Sequence, residues 1–536
     1  MEKTKSKRKW YLVALAVLII VILSSFVAYN SFLKPAAPPM VLTISKNAEA
    51  DTLDPGLTGM IEGSRVIMTM FDSYLSFDQN NQIQPWLAES WQWSADMKVL
   101  TLNLRKDVKF HNGEPFNATA VKYSIDRILD PTMKSPQFST LAEVDKVDIL
   151  DTYKVAITLK APNRFFLGVL ASNTAGAPVC PDVAKKLGKD YGTTNPVGTG
   201  PFMFKEWRRD DRVVLVRNPN YNWAPAFTHH TGPALLDQII FKVIPEDTTR
   251  VADVRTPSGS DMMTNVPENQ VERLRADPNL LVLTAPQPII QFFSFDLEHV
   301  TDVNIRLAVA YAIDRDAINK AIYFGLRQPA YSPMTPAHGA WFTNLTKTGQ
   351  AIPYDPKKAA SILDDNGWKL GSDGYRYKDG KILELTDVQY LYIPEMTIVQ
   401  DSLKKVGIKM NLITFQGDRQ GWYSRLTAGT FDVTAALYST NVPGLEWFFF
   451  QQQIPWPNWM RLRSPEFESL VSAGKQNPDE KAAMEAENKA VLMIVQQAYW
   501  VPLFYPQNIV VIHKNIQNYQ LPTFIYGWMF LDVTVR

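Results

Sequence analysis

Residues 383–438 read LELTDVQYLYIPEMTIVQDSLKKVGIKMNLITFQGDRQGWYSRLTAGTFDVTAALY. Leu383 to Tyr392 reads as a strand, and Glu395 to Val406 as a helix closed by Gly407. Ile408 to Thr414 reads as a second strand, Asp418 to Ala428 as a helix closed by Gly429, and Phe431 to Tyr438 as a third strand. Short links between such elements imply parallel strands joined by right-handed crossovers. In open α/β sheets a ligand sits outside the carboxyl ends of the strands. Those ends lead into Tyr392, into Phe415-Gln416 and into Ser439-Thr440-Asn441, which defines a candidate binding edge.

Outward from this unit the signals are sparser. Asn304 to Ala312 carries Ile305, Ala308, Val309 and Ala312 at helical spacing. Asp355-Pro356 is an N-cap with proline at the first helical position, and a helix is expected over 357–366 with Gly367 after it. Towards the N-terminus, Val41 to Ile44 begins a strand and Asp51 to Gly56 is a turn. A helix is expected from Ser64 to Leu75, a strand over 99–104, and a helix from Asn117, as N-cap, to about Leu129.

The chain has 536 residues, 46% hydrophobic and 20% charged, which excludes a disordered chain and a polytopic membrane protein. A length of this order suggests three or so domains. The formal net charge of +1 gives no support for a nucleic-acid partner. That total divides unevenly. Residues 1–34 hold Lys3, Lys5, Lys7, Arg8, Lys9 and Lys34 against Glu2, so the remaining 502 residues carry −4. Trp10 to Tyr29 contains 20 uncharged residues, enough at ~1.5 Å each to cross the hydrocarbon core of a bilayer. The preceding lysines orient such a span with the N-terminus cytoplasmic. An uncleaved anchor is expected, with a cleaved signal peptide as the alternative. The apolar run exceeds a usual signal core, and a cut after Ala28 would place Phe26 at −3. Lys34-Pro35-Ala36-Ala37-Pro38-Pro39 then reads as a short stiff spacer.

Cys180 is the single cysteine, so no disulfide forms within the chain, and its expected role is a small buried hydrophobe. No phosphate-binding loop, HExxH, GxSxG or GxGxxG sequence occurs, and no cofactor, metal or enzymatic role is expected. His111 stands in Lys109-Phe110-His111-Asn112-Gly113, where hydrogen bonding in a turn is expected of it. His229-His230 lacks a third ligand at suitable spacing. Gly198-Thr199-Gly200-Pro201 combines permissive and fixed backbone, suited to an interdomain crossing or to an ordinary tight turn.

Several words taken together carry a resemblance. They are Leu53-Asp54-Pro55, the run Pro85 to Trp91, the run Leu104 to Ala118 with Val121 to Ser124, the run Val197 to Phe202, Arg217 to Tyr221, and Ile305 to Arg315. In this order the chain resembles the family 5 extracellular solute-binding proteins, over roughly 41–536. These are the dipeptide-, oligopeptide- and nickel-binding receptors of ABC importers. The resemblance implies an α/β fold, a periplasmic-binding-protein-like clamp of two α/β lobes with an additional domain. In this chain the clamp would follow one N-terminal transmembrane helix. It implies domain I over 40–82, 195–288 and 505–536, domain II over 83–194 and domain III over 289–504. Residues 1–39 would form the basic tip, the anchor over 10–29 and the spacer. Ligand would be enclosed between domains I and III and passed to permease subunits in the membrane, with the receptor a monomer outside the cytoplasm.

In peptide-binding relatives an Asp after the last strand of the 383–438 unit pairs with the ligand ammonium. Here Thr440 holds that place, and no arginine stands near Tyr390 to Pro394 to receive a carboxylate. The same region is rich in aromatic and amide side chains, including Trp422, Tyr423, Tyr438, Trp447, Gln451 and Trp459. Rings with neutral donors suit peptide side chains, and they also suit neutral oligosaccharides. The candidate ligand contacts are therefore Tyr392, Gln416, Trp422, Tyr438, Ser439, Thr440, Asn441 and Trp447, with Glu62 and Arg65 as modest candidates from domain I. A short peptide or similar small organic solute is the expected ligand. An oligosaccharide receptor, or a ligand sensor on the same clamp, is the alternative.

Overall fold

The computed structural model describes residues 38–78, 81–439, 444–445, 454, 458–522 and 530–536. The apolar segment over 10–29 lies outside the described residues. Among the described residues no helix is long and apolar enough to cross a membrane.

The 383–438 unit folds in the expected order. Strands Glu384–Gln389, Lys409–Thr414 and Val433–Ser439 alternate with helices Glu395–Lys405 and Arg419–Ala428. The first strand pairs in parallel with each of the other two. Asp418 caps its helix by accepting from the Gly421 amide at 3.0 Å. Gly407 and Gly429 take φ of +85° and +65° after the two helices, where a side chain would be strained. Strands Ile289–Phe295, Trp500–Tyr505 and Gln328–Pro329 extend this layer antiparallel to a six-stranded sheet. Alternation along Ile289–Phe295 sends Phe293 and Phe295 to one core, with Leu385, Val399 and Leu403. Phe292 goes to the other, with Val388, Trp459 and Trp500. We call this body lobe III.

Lobe I is built on a seven-stranded sheet drawn from three stretches of chain. The first strand, Val41–Lys46, lies in parallel between Gln238–Val243 and Met262–Met263. Leu280–Pro286 and Gln507–His513 close one edge, and Arg212–Arg217 and Phe202–Arg208 the other. Leu280–Pro286 runs on into Ile289–Phe295, and Trp500–Tyr505 runs on into Gln507–His513. The chain thus crosses between the two large sheets through residues 287–288 and again through residue 506.

Lobe II is a four-stranded antiparallel sheet, ordered Ala88–Trp93, Val99–Leu104, Lys154–Leu159 and Val144–Asp151. Helix Ala118–Leu129 packs on it, capped by the Asn117 carbonyl as expected. From this helix Arg127 grips Asp54 of lobe I with both guanidinium nitrogens, Nη1 at 2.9 Å, and Asp54 has no exposed surface. The Leu53-Asp54-Pro55 word therefore serves a seam between lobes. Lobe II also meets lobe III, where Arg164 donates from Nη1 to the Asn477 carbonyl at 2.8 Å.

One expected helix is shorter than its pattern. The helix occupies Ile61–Met70, not Ser64 to Leu75, and Phe71 is extended. The Met70 carbonyl accepts from the Gly200 amide at 2.9 Å, so backbone from another segment takes the place of a further turn. A β-carbon on Gly198 would stand 2.1 Å from that same oxygen, so close approach is what the glycines permit. His111 binds this crossing: Gly198 N–H donates to Nδ1 at 3.2 Å, and Nε2 lies 3.0 Å from the Gly200 carbonyl. That pair of contacts sets the neutral tautomer with the proton on Nε2, and burial pushes the ring's pKa down to about 4. Cys180 is buried and unpaired, and His230 is held by Asp532 at 2.6 Å.

Candidate functional site

A cavity of 970 Å³ opens at the carboxyl edge of the parallel unit, between lobes I and III. Lobe I contributes Asp247 and the segment Pro267 to Asn269, which follows its strand Met262–Met263. Lobe III contributes the turn Tyr390 to Glu395 after the first parallel strand, and Ala435 to Leu437 of the third. Arg419 and Trp422 come from the second helix, and the segment from Ile322 to Phe324 and Arg327 from the other side. This volume lies at the upper end of the ~300–1,000 Å³ typical of small-molecule sites.

A polar chain crosses the wall. Arg327 donates from Nε to Glu268 of lobe I at 2.8 Å and from Nη1 to Gln291 of lobe III at 2.9 Å. Its guanidinium carbon lies 3.5 Å from the centroid of the Tyr323 ring. The Gln291 amide in turn donates to Glu395, which is 1% exposed. Burial raises the pKa of the Tyr323 phenol, against the pull of Arg327, so the ring stays neutral. One guanidinium therefore ties the two lobes together across the cavity.

Apolar side chains line the rest. Leu391, Tyr392, Leu437 and Phe324 are 53%, 61%, 60% and 55% exposed. Side chains of this kind are normally covered in a folded protein, and a contiguous uncovered patch marks a place of contact.

The candidates from sequence divide. Tyr392 and Trp422 line the cavity. Gln416 sits in the tight turn beside it, at φ +51° and exposed, and is not part of the lining. Tyr438 turns to the core face, with its hydroxyl donating to the Gly444 carbonyl at 3.2 Å and its ring edge-on to Trp500. Ser439 is the exposed last residue of its strand, opposite Ile289. Thr440, Asn441 and Trp447 lie outside the described residues. Glu62 and Arg65 pair with each other at 2.5 Å inside lobe I, and Arg65 also reaches Asn265. Neither lines the cavity.

Sequence reading missed Arg327, Glu268, Gln291, Glu395 and Arg419. Arg419 had a signal, since it opens the helix that follows the second parallel strand and so falls on the binding edge. The Glu268–Arg327 pair had none. Its partners stand 59 residues apart and meet only when two lobes are assembled.

The sequence model of the bacterial extracellular solute-binding proteins, family 5 (middle region), matches residues 82–456. The chain belongs to this family. It is 26% identical over 502 residues to the glutathione-binding protein GsiB of Salmonella choleraesuis strain SC-B67, covering 90% of this chain and 92% of that one. The protein of that name from Shigella dysenteriae serotype 1 is 25% identical over the same length. Among solved structures, the periplasmic binding protein DppA of Helicobacter pylori, in complex with the peptide STSA, superposes with a TM-score of 0.74 at 25% identity. The match covers 93% of this chain and 98% of DppA. HbpA2 of Haemophilus parasuis superposes at 0.79 with 22% identity, over 92% of this chain and all of that one, and supports the fold alone. This family 5 protein is thus an extracytoplasmic solute-binding receptor, and its cavity occupies the cleft between the two large lobes.

Proposed function

We propose that this receptor captures a short peptide or similar small organic solute between lobes I and III and delivers it to the permease of an ABC importer. The observation that carries the reading is the cavity at the carboxyl edge, with one wall on each large lobe and Arg327 joining them. A solute touching both walls binds the closed arrangement better than an open one and shifts the population towards it. The ligands of two relatives, glutathione for GsiB and the peptide STSA for DppA, favour peptides over sugars.

The lobes are assigned as domain I over 40–82, 195–288 and 505–536, domain II over 83–194 and domain III over 289–504. The two crossings at 287–288 and 506 support these limits. The receptor works as a monomer, held at the membrane by the uncharged segment 10–29 behind its basic flank. Alkaline carbonate should leave the chain in the membrane fraction; quantitative release would contradict the anchor.

The ligand reading is tested by thermal unfolding of the full chain in detergent, with di- to pentapeptides and neutral oligosaccharides as probes. A probe at 100 times its dissociation constant adds about 2.7 kcal/mol. A shift with peptides is expected. A shift with oligosaccharides alone would overturn the peptide assignment and leave the receptor fold standing.

A further inference from the structure

Among the described residues, every charged side chain of the cavity wall but one has a hydrogen bond or ion pair to the protein, although the enclosed Oε2 of Glu395 has no partner. Asp247 is held by Arg250, Glu268 and Arg327 hold each other, and Glu395 takes the Gln291 amide from an enclosed position. Arg419 is exposed, lines the cavity, and has no hydrogen bond or ion pair to a described residue. Its placement is not accidental to the fold. It is the first residue of helix Arg419–Ala428, fixed in direction by the Asp418 cap and by the Gly417 amide bonded to the Tyr390 carbonyl at 2.9 Å. Helix Glu395–Lys405 begins at the same edge. Around it stand Leu391, Tyr392, Leu437 and Phe324, each more than half exposed.

We infer that Arg419 is the specificity-determining residue of this site, that it receives an anionic group of the captured solute, and that the remainder of that solute is apolar. The inference rests on the receptor reading above and narrows it. A planar guanidinium offers paired donors that match a carboxylate, and in a closed site such a charge-assisted pair is stronger than a neutral hydrogen bond. The uncovered aliphatic and aromatic wall gains by covering with like surface, and a strongly hydrated solute would leave it wet. The position lies outside the Tyr390 to Pro394 turn, where the sequence offers no arginine.

Calorimetric titration of the full chain in detergent tests this with matched probes. These are Leu-Phe-Leu as free acid and as C-terminal amide, triglycine as free acid, and 4-phenylbutyrate against 4-phenylbutyramide. We expect each apolar acid to bind at least tenfold tighter than its amide, and Leu-Phe-Leu at least tenfold tighter than triglycine. Arg419→Gln should bring acid and amide within about twofold, and Arg419→Lys should restore part of the preference. Since Arg419 is exposed, both variants should unfold at the wild-type temperature. An acid preference that survives Arg419→Gln, or an amide that binds as well as its acid, overturns the role of Arg419. Triglycine binding as tightly as Leu-Phe-Leu overturns the apolar part. If 4-phenylbutyrate binds and no peptide does, the peptide assignment falls and the anion role stands. If no acid binds, both fall.

Discussion

Asp387 stands on the first parallel strand of lobe III with no exposed surface. Burial pushes its carboxyl up to about 7, against the lowering effect of the Gln389 amide and the Ala435 backbone N–H. Its unfolded value is near 3.9. Between those two values the unfolded chain releases a proton that the folded chain keeps. Stability therefore falls as pH rises through this window, by about 1.4 kcal/mol per pH unit for this group, and levels off above it. Asp387→Asn removes the dependence and keeps a hydrogen-bond acceptor. Its urea-unfolding free energy should improve relative to wild type between pH 4.5 and pH 7.5; a difference that does not change with pH would contradict the assignment. Asp54 is buried as fully but has a charged partner. Its carboxylate is enclosed and gripped by Arg127. Asp54→Ala would strand that guanidinium between lobes I and II and should cost about 3–5 kcal/mol in the same unfolding measurement.

At the scale of elements, the parallel unit was legible because its strands and helices are short and punctuated. Asp418 caps the second of its helices, and Gly407 and Gly429 follow the two helix ends. Elsewhere tertiary contacts overrode local pattern. The run from Ser64 to Leu75 carries helical spacing, yet the helix stops at Met70 because the Gly198-to-Gly200 backbone binds its last carbonyl. Gly198→Ala places a methyl against that carbonyl, which is backbone and cannot move aside. It should destabilise by about 1–3 kcal/mol in a urea titration, as overpacked sites do. An unchanged midpoint would show that the seam is looser than described. The edge on which the cavity opens was legible, since Tyr392 and Trp422 both line it. Its charges were largely not, because Glu268 and Gln291 come from distant segments that only the assembled lobes bring to Arg327. Tyr438 shows the period-2 limit: one residue along the strand from Leu437, it faces the core and not the cavity.

At the scale of the molecule, two short crossings at 287–288 and 506 join lobe I to lobe III, and the Glu268–Arg327 pair adds a contact between the lobes near them, since Gln328 pairs with Tyr505. An opening that parts the lobes at this point would break the pair whatever solute is present. The pair is partly exposed, with side chains 28% and 19% accessible, and is worth about 0.2–1 kcal/mol after screening. Glu268→Gln should therefore raise the dissociation constants of all ligands by a similar factor of about 1.4 to 5. A loss confined to one ligand would instead make Glu268 a direct contact. The central claim is that the lobes close on a solute held in this cavity. Glu272 on lobe I and Lys357 on lobe III are exposed and can each carry a spin label through Glu272→Cys and Lys357→Cys. Pulsed electron-electron dipolar spectroscopy would then read the distance between the lobes, without and with a saturating peptide that raises the unfolding temperature. The account predicts a shorter and narrower distribution with the peptide bound. An identical distribution in both samples would contradict it.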